Sequence, residues 1–170
     1  MGEFSGARAD APIEQRLARL EDMEAIQRLK ERYASYCDNG YDADGFVTLF
    51  VEDSVWESNA FGVYHGRDEI HGFISGIKDE IIWATHFMVC PAITVAPDGQ
   101  SATGRWYLLE LATMTGAEGS DTRDSVVMTA IYEDTFVKEN GEWKIKKVKV
   151  HFHHVSNLDK GWAKEQFRSR

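Results

Sequence analysis

Two short stretches hold side chains that would be out of place in an ordinary core. One histidine interrupts the strand-forming run "WATHFMV", and one aspartate ends the helical stretch "ERYASYCDNG". His86 has Trp83, Phe87 and Val89 as neighbours, so burial is expected, and a buried imidazole needs a partner on at least one nitrogen. Asp38, at the end of a helix facing that strand, is a candidate partner. Such a pairing fixes the tautomer and raises basicity, which is what a general base requires. Asp38 also stands beside Asn39-Gly40, where an aspartate commonly closes a turn on its own backbone. Tyr33 lies on the apolar stripe of the same helix, where the ring packs and the hydroxyl reaches a partner or a cavity edge.

Glu110, in "RWYLLELAT", places an acid inside an apolar strand. Pointing inward, burial raises its pKa until it donates a proton at neutral pH; pointing outward, it is solvated. Alternation leaves both faces open, because Trp106 and Leu108 share its parity while Tyr107 and Leu109 take the other. In "HFHH", His151 and His153 share one strand face at a spacing that ligates metals, but no third ligand accompanies them. No metal is therefore expected, and His151 is read as a substrate contact. The chain carries no nucleophile elbow, P-loop or dinucleotide fingerprint.

The elements that would position these groups follow from periodicity. Ile13, Leu17, Leu20, Ile26, Leu29, Tyr33 and Tyr36 step by three and four, one face of a long helix that "DNG" stops. "DADGFVTLF" reads as a short helix capped by Asp42 or Asp44. "SVWES" and "NAFGVYHG" read as a strand and a short return, and "RDEIHGFISGIKDE" as a third helix. After Ile81 come four long β-rich runs, separated by "PDGQS", a Gly/Ser/Asp-rich loop from Gly116 to Asp124, and "ENGE". Adjacent strands joined by such turns pair antiparallel. The fold class is α+β, a curved antiparallel sheet wrapped around N-terminal helices to form a cone. A single domain is expected over residues 13–158, with a tail at 1–12 and a tail or short helix at 159–170.

The charge of −9, from 19 basic and 28 acidic side chains, repels phosphate backbones, so nucleic acid is not an expected partner. The basic stretch "KIKKVKV" reads as the solvated face of a strand. No run approaches the roughly 18 apolar residues a membrane span needs, and the N-terminus lacks a signal-peptide core, so a cytoplasmic location is expected. Cys37 and Cys90 give neither a disulfide framework nor a metal spacing, and Cys90 is read as a buried thiol.

The order of elements, with "AIQRLKERYASYCDNGYDADGFVTLFVEDSVW", a Gly-Arg-Asp helix start and the histidine of "ATHFMV", resembles the SnoaL-like family of the nuclear transport factor 2-like superfamily, over roughly Ile13 to Val155. Members include hexachlorocyclohexane dehydrochlorinase, bile-acid 7α-dehydratase, scytalone dehydratase and lignin diarylpropane lyases. The resemblance implies an Asp38–His86 dyad with Tyr33 facing the same cavity and an acid near Glu110. It also implies chemistry without cofactor or metal. The function expected is a lyase acting by acid/base elimination on a hydrophobic hydroxylated aromatic, such as a lignin-derived diarylpropane, with loss of water or formaldehyde. The alternatives are an isomerase or polyketide cyclase using the same dyad, or a non-catalytic binding and dimerisation module. Expected substrate contacts are Trp56, Asn59, Phe61, Tyr64, Trp83, Met88, Trp106, Met128 and His151, with Phe87 as a further wall. A curved sheet with a partly apolar outer face is expected to pair with copies as a homodimer or homotrimer.

Overall fold

The computed structural model describes residues 11–116 and 122–168. Most of the expected N-terminal tail, the centre of the loop between Gly116 and Asp124, and the last two residues lie outside that range. Three helices precede the long strands: α1 (Ile13–Asp38), α2 (Ala43–Val47) and α3 (Gly66–Ile77). The strands are β1 (Phe50–Ser58), β2 (Gly62–His65), β3 (Ile81–Val95), β4 (Ser101–Thr115), β5 (Arg123–Glu139) and β6 (Glu142–Asn157). They form one sheet in the order β2-β1-β6-β5-β4-β3. The long strands pair antiparallel as consecutive hairpins, while β1 joins β6 in parallel.

Helix α1 buries Ile26, Leu29, Lys30, Tyr33, Ala34 and Cys37, the three-and-four spacing of one face. Its apolar stripe runs longer than its buried face, since Ile13, Leu17 and Leu20 are all more than half exposed. The helix ends where Gly40 and Tyr41 take left-handed φ values of 73° and 56°. Asp42 then accepts from the Gly45 amide at 3.1 Å and starts α2. The C-terminal stretch forms turns rather than a helix and is tied back by a bridge between Val155 and Phe167.

Strand β4 alternates without a fault, placing Ala102, Trp106, Leu108, Glu110, Ala112 and Met114 inside. Gly104 sits in that series because the Trp106 indole lies where its Cβ would be. Strand β3 is less regular. Its pairing with β4 slips between Ile81 and Trp83 and again between Val89 and Ala92. The first irregularity turns Ile81 inward to join Ala84 and His86, while Trp83 and Phe87 alternate with them on the outer face. At the second, Cys90 adopts φ 53° and its thiol is exposed, not buried as expected. The register then brings His86 opposite Glu110, and Glu110 opposite Met128. An imidazole and a carboxylate therefore stand side by side on the inner face.

Candidate active site

The acid at the end of α1 reaches the first long strand. Asp38 is an electrostatically poor residue for a helix C-terminus, where the backbone dipole already concentrates negative charge. Its carboxylate is compensated from β3: the His86 backbone N–H donates to Oδ1 at 3.0 Å, and the His86 ring Nδ1 lies 2.7 Å from the same oxygen. An ionised carboxylate only accepts, so Nδ1 carries the proton and Nε2 is left to face the interior. There Nε2 meets Glu110 Oε2 at 3.3 Å. The His86 and Glu110 side chains are 5% and 3% exposed, whereas Asp38 is one-third exposed. The other Glu110 oxygen, Oε1, is buried without a hydrogen-bond partner.

Burial drives the imidazole pKa down, but the charge of Glu110 and the hydrogen bond and charge of Asp38 more than offset it, leaving His86 above its ordinary 6.5. Glu110 is raised above its ordinary 4.5 by burial, with His86 pulling the other way and Asp38 adding to the rise. Both shifts favour retention of a proton by the pair.

Around this pair is a cavity of about 40 Å³, lined by Tyr33, Cys37, Tyr41, Trp56, Phe61, Phe73, Tyr132 and Phe152 among others. Tyr33 is held by the Trp56 indole N–H, which donates to its oxygen at 2.8 Å, so the tyrosine's own proton remains for another acceptor. Tyr41 is 7% exposed, its ring meets that of His86 edge-on at 6.4 Å, and its hydroxyl has no hydrogen-bond partner among the described residues. A bulky side chain at positive φ costs of order 1–3 kcal/mol and persists only where its surroundings demand it. Burial raises the pKa of Tyr33, Tyr41 and Tyr132 well above the ordinary phenol value, so all three remain donors. Burial likewise raises Cys37, so its thiol stays protonated and unreactive.

Beneath the cavity lies a buried ion pair, Lys30 Nζ to Asp134 Oδ2 at 2.7 Å. The ammonium stands 3.8 Å above the Tyr132 ring centroid and 4.1 Å above that of Tyr33. Both residues had a signal in the sequence. Lys30 falls on the apolar stripe of α1 between Ile26 and Tyr33, and Asp134 shares inward parity with Tyr132 and Phe136 on β5.

The structure thus brings His86, Glu110, Tyr33, Trp56 and Phe61 together at one cavity, with Asp38 outside its lining and joined to it through the Nδ1 side of His86. The remaining candidates fall elsewhere. Trp83 is 52% exposed on the outer face beside Phe87, because it alternates in register with the inward Ala84 and His86. His151 is exposed on the outer face of β6, where its ring lies 6.0 Å from that of His153. Trp106 and Met128 are inner-face core residues beneath the site, and Met88 packs half-buried against that core. Tyr64 stacks on Phe73 at 4.3 Å and donates to the Phe61 carbonyl, bracing the wall from behind. Asn59 clamps the Phe152 backbone in both directions and lines a neighbouring cavity. Tyr41, Tyr132, Phe73 and Phe152 were missed. Inner-face parity would have found Tyr132 and Phe152, whereas nothing local to "DNGY" marks Tyr41 as buried.

A family model described as the SnoaL-like domain matches residues 18–149. The structure is similar to that of hexachlorocyclohexane dehydrochlorinase LinA type 2, with TM-score 0.74 and 19% identity over 84% of this chain and 92% of that one. It is also similar to a scytalone dehydratase-like protein from Novosphingobium aromaticivorans, with TM-score 0.72 and 25% identity over 83% and 90%. A third likeness is to an NTF2-like protein of cystatin-like fold from the same organism, with TM-score 0.64 and 26% identity over 94% and 96%.

Proposed function

The chain belongs to the SnoaL-like domain family, and on that premise we propose that it is a lyase that eliminates a hydroxyl group by acid/base chemistry carried on its own side chains. The observation that carries this reading is one buried imidazole held between two carboxylates, Asp38 on Nδ1 and Glu110 near Nε2, at the head of an apolar cavity. The structural likenesses include a dehydrochlorinase and a dehydratase-like protein, enzymes whose names describe eliminations.

The pair starts with one proton, on Glu110, and Nε2 unprotonated. His86 takes a proton from the substrate carbon, and the electron pair of that C–H bond forms the new double bond. Glu110 gives its proton to the departing hydroxyl, which leaves as water. His86 is then imidazolium and Glu110 carboxylate, and a transfer across the 3.3 Å contact restores the starting state. Asp38 holds the tautomer and stabilises the imidazolium. The free Tyr41 hydroxyl and the proton of Tyr33 supply hydrogen bonds to the leaving oxygen. Acid and base each contribute roughly 10²–10⁴-fold, enough together for elimination from an activated carbon.

The substrate class that suits these walls is a hydrophobic hydroxylated aromatic. For a benzylic alcohol with a para phenol, the proton that His86 takes is that of the phenol O–H instead of a C–H. The hydroxyl leaves as water with the Glu110 proton, and a quinone methide forms. In a lignin-derived diarylpropane, deprotonation of the neighbouring hydroxymethyl O–H then breaks its C–C bond, the electron pair of that bond restores the phenol ring, and formaldehyde is released. The outer face of β3 and β4, with Trp83, Phe87, Val89, Tyr107, Leu109 and Leu111 each about 40% exposed or more, supports association of copies into a dimer or trimer.

The test is incubation with a panel of hydroxylated aryl ketones and diarylpropane diols, reading the new conjugated chromophore and trapped formaldehyde. Turnover abolished in His86→Gln with an unchanged melting temperature supports the reading. Proton exchange or ring closure without release of water would instead identify an isomerase or cyclase. Ligand binding with no reaction across the panel would identify a binding module.

A further inference from the structure

The reaction cavity has about 40 Å³ of room, whereas a benzene-sized ligand occupies a cavity of about 150 Å³. A substrate whose reacting carbon sits at His86 must therefore place most of its bulk, a distal ring above all, beyond this cavity. On the other side of Phe61 lies a second chamber of about 290 Å³. Phe61 lines both spaces, and Ile81 of the reaction cavity pairs directly with Met114 of the chamber. Extending the lyase reading above, we propose that this chamber is a binding subsite for the distal aromatic ring of the substrate, recognising a neutral acceptor oxygen on that ring through Arg168.

The chamber is a built space. Its β1–β2 wall is pinned, because Asn59 exchanges two hydrogen bonds with the Phe152 backbone at 2.8 and 2.9 Å, and the Phe61 amide donates to Ser58 Oγ at 2.8 Å. Its opposite wall is the C-terminal segment, fastened by the Val155–Phe167 bridge. The Arg168 side chain, 5% exposed, donates from Nη2 to the Thr115 carbonyl at 2.9 Å and to Asp124 at 2.7 Å, while its Nε is buried with no partner. A buried guanidinium N–H without a partner calls for an acceptor.

The surrounding charges select the kind of acceptor. Asp124 already balances the guanidinium, and Glu80 also lines the chamber. A carboxylate ligand would thus find the guanidinium charge already neutralised by Asp124 and meet that acid's repulsion. A carbonyl or ether oxygen incurs no such repulsion. Met114, Val155 and Phe167 supply apolar surface for the ring, and Phe167, 45% exposed, stands at the mouth. Rotation of the Phe61 ring, packed edge-on against Phe152 at 5.3 Å, would join chamber and reaction cavity.

Three ring probes of similar size separate the chemistries: acetophenone carries a neutral acceptor, cumene none, and benzoate a charge. Binding is followed by amide and arginine Nε–H resonances of the full chain. Acetophenone is expected to shift the Arg168 Nε–H and the Asn59 and Ala60 signals saturably, and to bind roughly tenfold tighter than cumene. Arg168→Met should abolish that difference; Arg168→Lys and Phe61→Trp, which narrows the chamber, serve as second variants should Arg168→Met lower the melting temperature. The same binding in His86→Gln, even if no hydroxylated aromatic is turned over, would uphold the subsite while the lyase reading fails. Equal affinity for acetophenone and cumene, tighter binding of benzoate, or shifts unchanged by every chamber variant would overturn the proposal.

Discussion

The buried Lys30–Asp134 pair makes a prediction that separates stability from function. Both side chains are at most 1% exposed and meet at 2.7 Å. Burial lowers the Lys30 pKa and raises that of Asp134 even against their mutual attraction. A depressed lysine and an elevated aspartate have the sign of a net cost at neutral pH, where both are charged in the unfolded chain. Removing one partner is worse still: Lys30→Met leaves a carboxylate buried and unpaired, costing roughly 3–5 kcal/mol. At about 2–4 °C per kcal/mol for a domain of this size, the melting temperature should fall by roughly 6–20 °C. The double variant Lys30→Met, Asp134→Val removes both charges with little added volume and should recover all of that loss, or exceed wild type by about 1–4 kcal/mol. What it removes is the ammonium over the Tyr33 and Tyr132 rings. Turnover should then fall by roughly 10–100-fold with little change in KM. Urea unfolding and steady-state kinetics on the three proteins are the assay. A double variant as unstable as Lys30→Met, or one stable and fully active, would refute the argument.

Tyr41→Phe keeps the ring and loses the hydroxyl that faces no protein partner, so turnover should fall ~10²-fold while the melting temperature moves little, as kinetics and calorimetry on the same sample would show. The pH–rate profile should be bell-shaped, because only the one-proton state of the His86–Glu110 pair holds both a base and an acid. With Glu110 raised above 4.5 and His86 above 6.5, activity is lost as pH falls and the pair takes a second proton, and again as pH rises and it loses its only one, two steps that belong to the pair and not to either residue. Both limbs therefore lie above those ordinary values. Phe87→Lys with Leu109→Lys, directly paired on the outer face, should lower the sedimentation mass to that of one chain of 19.3 kDa and leave the fold intact by circular dichroism.

The elements were readable from the chain because each has a long period and a marked end. Apolar steps of three and four revealed α1, and the four β runs were bounded by "PDGQS" and "ENGE". Asp38 and His86 were legible only as separate oddities. Their meeting depends on α1 lying across β3, a relation between elements 48 residues apart that no local pattern encodes. Glu110 shows a different limit. Its strand has large apolar residues on both faces because the outer one is exposed yet apolar, so alternation by itself is mute there. Trp83 and His86 were both expected at the site, yet they lie three residues apart in continuous register and so face opposite sides of the sheet. Tyr41 and Arg168 owe their positions to a left-handed turn and to a returning C-terminal segment. Neither has a periodicity to read.

The central claim is that Asp38, His86 and Glu110 act as one proton-transferring unit. It is tested most directly by single-turnover kinetics of a substrate found in the panel, on wild type, Asp38→Asn, His86→Gln and Glu110→Gln, each shown folded by its melting temperature. The account predicts that each replacement abolishes most of the elimination rate and that the double variants lose little more than the singles, as groups of one unit do. Independent losses that multiply in the double variants, or elimination that survives His86→Gln in a folded protein, would contradict it.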